Sequence, residues 1–169
     1  MRFFVTGEQN RQLLINTLIL MFVGYVFLLW ISNGLMYFHR MSLSADSVIA
    51  YYLGSEAEFS QPKSYESLLE VTHFHLFAMG MLILTLTHLM LMTDLPTLVK
   101  VWLSVIIYVS AIADEAAGWL VRFAHPYFAY FKIASFITLE LSLFALVVIV
   151  CLSLIQARRR LSEKTTPMP

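Results

Sequence analysis

Four long apolar stretches constrain this chain more than any other feature of its sequence. They cover residues 13–37, 69–92, 98–121 and 127–155, and each could cross about 30 Å of hydrocarbon as a helix of roughly 20 residues. Backbone groups in lipid must form their hydrogen bonds within the spanning segment, so we expect helices. A mean hydropathy of +0.75 and a charged fraction of 13% agree with this class. The chain is therefore predicted to be an integral membrane protein.

The connections predict an all-α, antiparallel four-helix transmembrane bundle that forms a single domain over residues 1–169. Only residues 93–97 and 122–126 join the last three spans, so these spans are expected to be sequential neighbours. The first span must then close the bundle. The tail over residues 162–169 is predicted to be disordered.

The outer loop, residues 38–63, is predicted to contain a short amphipathic helix. Ser44 is a good N-cap, Val48 to Leu53 provide an apolar face, and Gly54 is a typical stop. We expect this helix to lie on the outer membrane surface. Ser64 or Ser67 is then expected to cap the second span.

Charge distribution predicts the orientation in the membrane. Basic residues concentrate near both chain ends and are Arg2, Arg11, Arg158, Arg159, Arg160 and Lys164. Acidic residues concentrate in the loop and beside it. By the positive-inside rule both termini are cytoplasmic, and the loop lies on the outer face of a bacterial inner membrane.

Two further features exclude other classes. No basic cluster is large enough for nucleic acid, because the run Arg158–Arg160 is explained by topology and anionic lipid contact. Cys151 is the single cysteine, which excludes an internal disulfide and haem attachment through Cys-x-x-Cys-His.

Histidines provide the main functional signal, since imidazole is costly to bury in a membrane span. Four of the five are predicted at one depth near the outer face, namely His39, His73, His75 and His125. At about 100° per residue, His73 and His75 point roughly 200° apart on their helix. Glu70 and His88 share the stripe of His73, so we expect His73 to face the bundle. His75 would face a neighbouring helix, the interface or a partner.

A b-type haem near the outer face is one hypothesis for these residues. Its axial ligands would be His73 with His39 or His125, from different helices. Gly80, on the stripe of His73, would give room for the macrocycle; a close helix crossing is the alternative explanation of this glycine. His88 has no histidine partner at its depth, so a second haem is not expected.

A mononuclear metal site is the rival hypothesis, with a single transition-metal ion. Glu70-x-x-His73 has the i, i+3 spacing of carboxylate-bridged metal centres. Asp114 and His39 would complete a set of nitrogen and oxygen ligands. An ion-pair network is the alternative, with Lys132 or Arg122 neutralising Asp114. A bundle without any cofactor is also compatible with the sequence.

Two polar arrangements are predicted whichever hypothesis holds. Glu70, His73, Asp114 and Arg122 are expected to converge between spans two and three. Glu140, in the middle of the fourth span, must be protonated or hydrogen bonded. Its possible donors are Thr85, Thr87 and Ser104.

Three short motifs carry a family resemblance. They are Tyr51-Tyr52-Leu53-Gly54-Ser55-Glu56, Pro62-Lys63-Ser64 and Leu68-Leu69-Glu70-Val71-Thr72-His73-Phe74-His75. With Asp114, Trp119 and Arg122, this pattern resembles an uncharacterised family of small four-span bacterial membrane proteins. Some relatives carry a c-type haem segment in the outer loop, which implies a place near electron transfer. This chain lacks that segment.

These observations favour a small integral membrane subunit of a redox or respiratory-type membrane complex that takes part in electron transfer. Its expected partners are other membrane subunits, the lipid bilayer, and a quinone or a periplasmic cytochrome. The alternative is a non-catalytic scaffold that stabilises or assembles a larger complex. The chain leaves no room for a soluble catalytic domain and has no nucleophile and base arrangement of the hydrolase kind.

Overall fold

The computed structural model describes residues 8–57 and 59–165, with side chains over residues 14–57 and 59–157. The described chain is helical, with α1 (Glu8–Arg40), α2 (Ala45–Leu53), α3 (Tyr65–Leu91), α4 (Thr97–Phe123) and α5 (Phe128–Thr165). Four helices are long and apolar enough to cross a membrane, over Leu14–Arg40, Tyr65–Leu91, Thr97–Phe123 and Phe128–Ala157. The predicted all-α fold with four transmembrane helices is confirmed.

Helices α3, α4 and α5 pack as sequential antiparallel neighbours, as predicted, but α1 does not close the bundle because it packs against α5 and leaves its side toward α3 open. Helix α4 packs against α3 and most extensively against α5, and α1 packs against α5. Small residues on α4, among them Ser110, Ala117 and Gly118, are buried, and small side chains allow membrane helices to approach closely. We call the end of the bundle with α2 and residues 124–127 the loop end. The opposite end, with the 92–96 turn, is the hairpin end.

Helix α2 forms as predicted and covers the loop end. The Ser44 hydroxyl accepts a hydrogen bond from the Ser47 amide at 3.3 Å, and Gly54 follows the helix at a φ of +83°. A Cβ at residue 54 would lie 2.6 Å from the Ser60 carbonyl oxygen. A larger residue is therefore excluded both by this contact and by the positive φ. Val48 and Tyr52 are buried against the bundle.

Two helices extend beyond the predicted membrane spans. Ser64 rather than Ser67 caps α3, accepting from the Ser67 amide at 3.1 Å, so this helix begins about one turn before residue 69. Helix α5 continues to Thr165 because the residues after the membrane span are good helix formers. The predicted disordered tail is thus helical over 162–165, and residues 166–169 lie outside the described part of the chain.

Each end of the bundle has its own core. The hairpin-end core is aliphatic, with Val23, Val26, Ile83, Leu86, Met90, Ile107, Leu139, Leu143, Leu146, Val147 and Val150. The loop-end core is largely aromatic, with Tyr37, Met41, Val48, Tyr52, Leu68, Val121, Ala129 and Phe136. The loop-end core lies beside the buried ion pair of Asp114 and Lys132.

Candidate functional site

A cavity of about 410 Å³ lies at the loop end, and side chains from all five helices line it. We call it the loop-end cavity. Its polar lining consists of Asn33, Tyr37, Arg40, Tyr51, Tyr52, Lys63, Ser67, Thr72, His75, Asp114, Glu115, Trp119 and Lys132. The volume is within the range of small-molecule sites, and the lining has more polar groups than such sites usually have.

An imidazole and a carboxylate are paired on one wall. His75 Nδ1 of α3 lies 2.6 Å from Glu115 Oε1 of α4. An ionised carboxylate only accepts hydrogen bonds, so Nδ1 carries the proton and donates it. In the neutral imidazole this bond leaves the lone pair on Nε2. The His75 side chain is 52% exposed whereas that of Glu115 is 15% exposed, so the imidazole is the accessible member of the pair.

A second ion pair lies deeper, between α4 and α5. Lys132 Nζ is 2.8 Å from Asp114 Oδ1 and also donates to the Asp114 carbonyl oxygen at 3.0 Å. The Ser135 hydroxyl donates to the same carboxylate oxygen at 3.4 Å. Both charged side chains are largely buried, and a buried charge is tolerated only when it is paired in this way.

Aromatic rings form the apolar walls. Tyr37 stacks on Phe136 with ring centroids 3.6 Å apart, and the Trp119 indole donates to the Thr72 hydroxyl at 2.9 Å. The Tyr37 hydroxyl is buried and has no hydrogen-bond partner among the described residues. Because a buried polar atom without a partner is unfavourable, this hydroxyl indicates a place where a ligand atom could bind.

Helix α2 closes the cavity through Tyr52. Its ring lies on Gly118 so closely that a Cβ there would be 2.8 Å from the Tyr52 hydroxyl oxygen. Burial raises the pKa of Tyr52 above its ordinary value, and the negative charge of Asp114 adds to this effect. Tyr52 is therefore a neutral phenol at physiological pH.

Two cations near the loop end, Arg122 and Lys63, contact other groups of the chain. The Arg122 guanidinium donates to the Lys63 carbonyl oxygen at 2.8 Å. Lys63 Nζ lies 4.3 Å from the centroid of the Tyr51 ring.

Deeper in the bundle, the Asn33 amide donates to the Glu140 carboxyl group, and the Trp30 indole donates to the Glu140 carbonyl oxygen at 3.1 Å. These contacts join α1 to α5.

The predicted orientation of α3 is wrong. His73 and Glu70 are exposed on this helix, while His75 is the histidine that faces α4. The packing face has the 3–4 spacing of Leu68, Thr72, His75, Met79, Ile83, Leu86 and Met90. Grouping the polar residues on one stripe predicts an inward His73, but polar side chains near a membrane surface can remain at the surface.

The predicted cluster of Glu70, His73, Asp114 and Arg122 does not form. Asp114 pairs with Lys132, and Arg122 binds the Lys63 carbonyl. The described residues contain no group of three or more His, Cys, Asp or Glu side chains that could hold a metal ion. The proposed ligand set of His73, Glu70, Asp114 and His39 is therefore not assembled in this chain.

The remaining predicted positions have separate places. His39 is exposed at the end of α1, and His125 Nδ1 accepts from the Tyr127 amide at 3.0 Å, which stabilises the turn before α5. Gly80 has open space beside it, so a close helix crossing does not explain this glycine. The predicted donors to Glu140 instead bind carbonyls of their own helices, and they are Thr85, Thr87 and Ser104.

Sequence reasoning missed several residues of the cavity, among them Asn33, Tyr37 and Tyr52. Asn33 had a usable signal, because an amide within an apolar span must find a polar partner. Tyr37 and Tyr52 had none. A tyrosine near a membrane surface is usually an interfacial anchor, and only tertiary packing identifies a buried one.

The fold and the cavity define a small four-helix membrane protein with a polar, five-helix site at one end. The chain belongs to the Aq_1264_TM family, described as a transmembrane helical domain, whose sequence model matches residues 42–161. The match covers α2 to α4 and most of α5, whereas α1 precedes it. No curated protein and no solved structure gives a significant match.

Proposed function

We propose that this protein is a membrane subunit of a redox complex and that its loop-end cavity binds the ring of a quinol or quinone. The observation that carries this proposal is the His75 and Glu115 pair in the wall of the cavity, at a hydrogen-bond distance of 2.6 Å. Such a pair presents an imidazole that can accept a proton from a ring hydroxyl.

The other walls suit the same ring. Tyr37 offers a buried hydroxyl without a protein partner in the described chain, which could donate to the second ring oxygen. Trp119 and Phe136 provide flat apolar surface. Hydrogen bonding at two ends and aromatic contact between them distinguish a quinone from an ordinary lipid head group.

Oxidation of a quinol releases two protons and two electrons. The imidazole Nε2 of His75 takes the proton of the ring hydroxyl beside it and passes it to water at the loop end. The second ring hydroxyl, beside Tyr37, releases its proton to water in the cavity. Glu115 stabilises the imidazolium in each cycle. The electrons pass one at a time to a one-electron acceptor held by a partner subunit, and the ring leaves as the quinone.

His73 keeps a separate role in the haem hypothesis. It is exposed on α3, on the side away from His75, so it could ligate a haem only outside this bundle, at an interface with another chain. A helix is about 10 Å across, so such a haem would lie next to the cavity. A Soret band in the purified complex that is lost with His73→Ala would support this placement.

The orientation belongs to the same proposal. We infer that the loop end faces the periplasm and that both termini are cytoplasmic, which the concentration of basic residues near the chain ends supports. In a Cys151→Ser background, a membrane-impermeant thiol reagent should label Ser60→Cys in intact cells and leave Ser162→Cys unlabelled. The reverse pattern would contradict this orientation.

Quinone binding to the purified protein tests the main proposal. Trp119 lies in the cavity wall, so a short-chain benzoquinone or naphthoquinone should quench tryptophan fluorescence saturably. His75→Leu should weaken binding at least tenfold, because the ring hydroxyl loses its acceptor. His88→Leu is the matched control, since His88 is an exposed histidine near the other end of α3.

Two results would contradict the proposal. One is linear quenching without saturation by either quinone in the folded protein. The other is equal affinity in the wild type and His75→Leu. If the folded protein also copurified with partner subunits, these results would favour the scaffold alternative.

A further inference from the structure

A second, smaller cavity adjoins the site and runs toward the bilayer. Its volume is about 120 Å³, and its walls are Val26, Leu29, Trp30 and Asn33 of α1, His75, Ala78, Met79 and Leu82 of α3, and Leu143 of α5. We call it the α1–α3 groove. Seven of these nine residues are apolar, so the groove suits a hydrocarbon segment rather than a polar one.

The groove and the loop-end cavity are neighbours that share part of their walls. Asn33 and His75 line both of them. From His75 to Leu82 the groove follows α3 for seven residues, or about 10 Å at 1.5 Å per residue. It therefore leads from the paired imidazole toward the middle of the span, where the surroundings are hydrocarbon.

The packing of α1 leaves this side of the bundle open. Helix α1 packs mainly against α5, and the described part of the chain has no comparable contact between α1 and α3. Trp30 and Asn33 of α1 form its hydrogen bonds to Glu140 of α5. A gap between two spanning helices opens to lipid, so a molecule dissolved in the bilayer could reach His75 without passing through water.

We propose that the ligand carries a hydrocarbon tail and enters sideways from the bilayer between α1 and α3, with its ring in the loop-end cavity and its tail in the groove. This inference rests on the proposed quinone site. It adds the ligand class, a lipid-tailed quinone, and the route of entry. Each methylene that moves from water into an apolar groove should improve affinity roughly fourfold, and less when it moves from lipid.

Two quinones with the same benzoquinone ring test the route, one without a tail and one with a decyl tail. Their affinities are compared by fluorescence quenching in the same lipid nanodiscs, for the wild type, Ala78→Phe and Ala134→Phe. Ala78 lines the groove, whereas Ala134 is an exposed alanine of α5 outside both cavities. Partition of the tailed quinone into lipid is equal for all three proteins, so it cancels when their affinity ratios are compared.

Ala78→Phe should lower the ratio of tailed to tailless affinity at least tenfold, while tailless affinity stays within twofold of the wild type. Ala134→Phe should change neither. Leu82→Phe, deeper in the groove, should repeat the effect and provides a second test if Ala78→Phe does not fold. An unchanged ratio in both groove variants, or equal loss of both quinones in both, would overturn the lateral route. If the wild type binds tailless quinone, the proposed function survives that result; if it binds neither quinone, both proposals fall.

Discussion

The two ends of this bundle are built on different physical principles. At the hairpin end, eleven buried residues are all aliphatic or methionine, and close packing holds the helices together. At the loop end, two ion pairs, stacked aromatic rings and a fifth helix surround a cavity. Apolar packing alone could have held the helices together at both ends. Because burying charged groups is energetically unfavourable, their presence at the loop end indicates where function lies.

The largest effect should follow from loss of the buried carboxylate at the loop end. Asp114→Ala leaves the Lys132 ammonium buried without its charge partner, which should lower the free energy of unfolding by about 3–5 kcal/mol. Asp46→Ala, at an exposed first-turn position of α2, should cost about 1 kcal/mol or less. Denaturant titration of the two variants in detergent measures both values. Equal losses would show that the Asp114 pair contributes no more than a surface charge.

Truncation of the hairpin-end core should damage stability and leave the site intact. Leu86 is fully buried in this core, and Leu86→Ala should cost about 2 kcal/mol through lost packing. Quinone affinity of the folded fraction should stay within twofold of the wild type. A large change in affinity would mean that the two ends of the bundle are coupled, contrary to this comparison.

Two glycine-to-alanine substitutions should differ in their effect on stability. Gly118→Ala places a methyl group against the buried Tyr52 ring and should destabilise the protein by about 1–2 kcal/mol. Gly80→Ala meets open space and should be neutral or stabilising by up to about 1 kcal/mol, because alanine favours the helix. Thermal melts of both variants check the prediction. Destabilisation by Gly80→Ala would point to a neighbour at this position, for example a partner helix.

The smallest expected change in stability is at Tyr37. Tyr37→Phe removes a buried hydroxyl without a partner in the described chain, so stability should rise by about 1 kcal/mol or stay unchanged. Quinone affinity should fall by about fivefold to tenfold, as expected for one lost hydrogen bond. Loss of stability together with unchanged affinity would remove Tyr37 from the site.

The fold could be predicted from the sequence because its signals are local. Apolar length determined the four spans, and Ser44 with Gly54 determined α2. Pairing across the bundle was harder. Lys132 was identified as a possible partner of Asp114, but Glu140 received the wrong donors because Asn33 lies more than a hundred residues away in sequence.

The main reason that the site could not be predicted from the sequence is the rotation of α3 about its axis. Two histidines two residues apart cannot both face the bundle, and the choice between them depends on which neighbours pack against the helix. The spacing of Leu68, Thr72 and Met79 would have indicated His75. Grouping by polarity selected His73, because near a membrane surface polarity does not distinguish an inward side chain from one that reaches water.

Photolabelling tests the central claim most directly. A quinone with a photoreactive group on its ring is bound to the protein in lipid nanodiscs, irradiated, and mapped by mass spectrometry with and without excess unlabelled quinone. We expect competed labels on residues of the loop-end cavity, foremost Tyr52, His75 and Trp119, and their loss in His75→Leu. Competed labels confined to the hairpin end, or labels that excess quinone does not displace, would contradict a quinone site at the loop end.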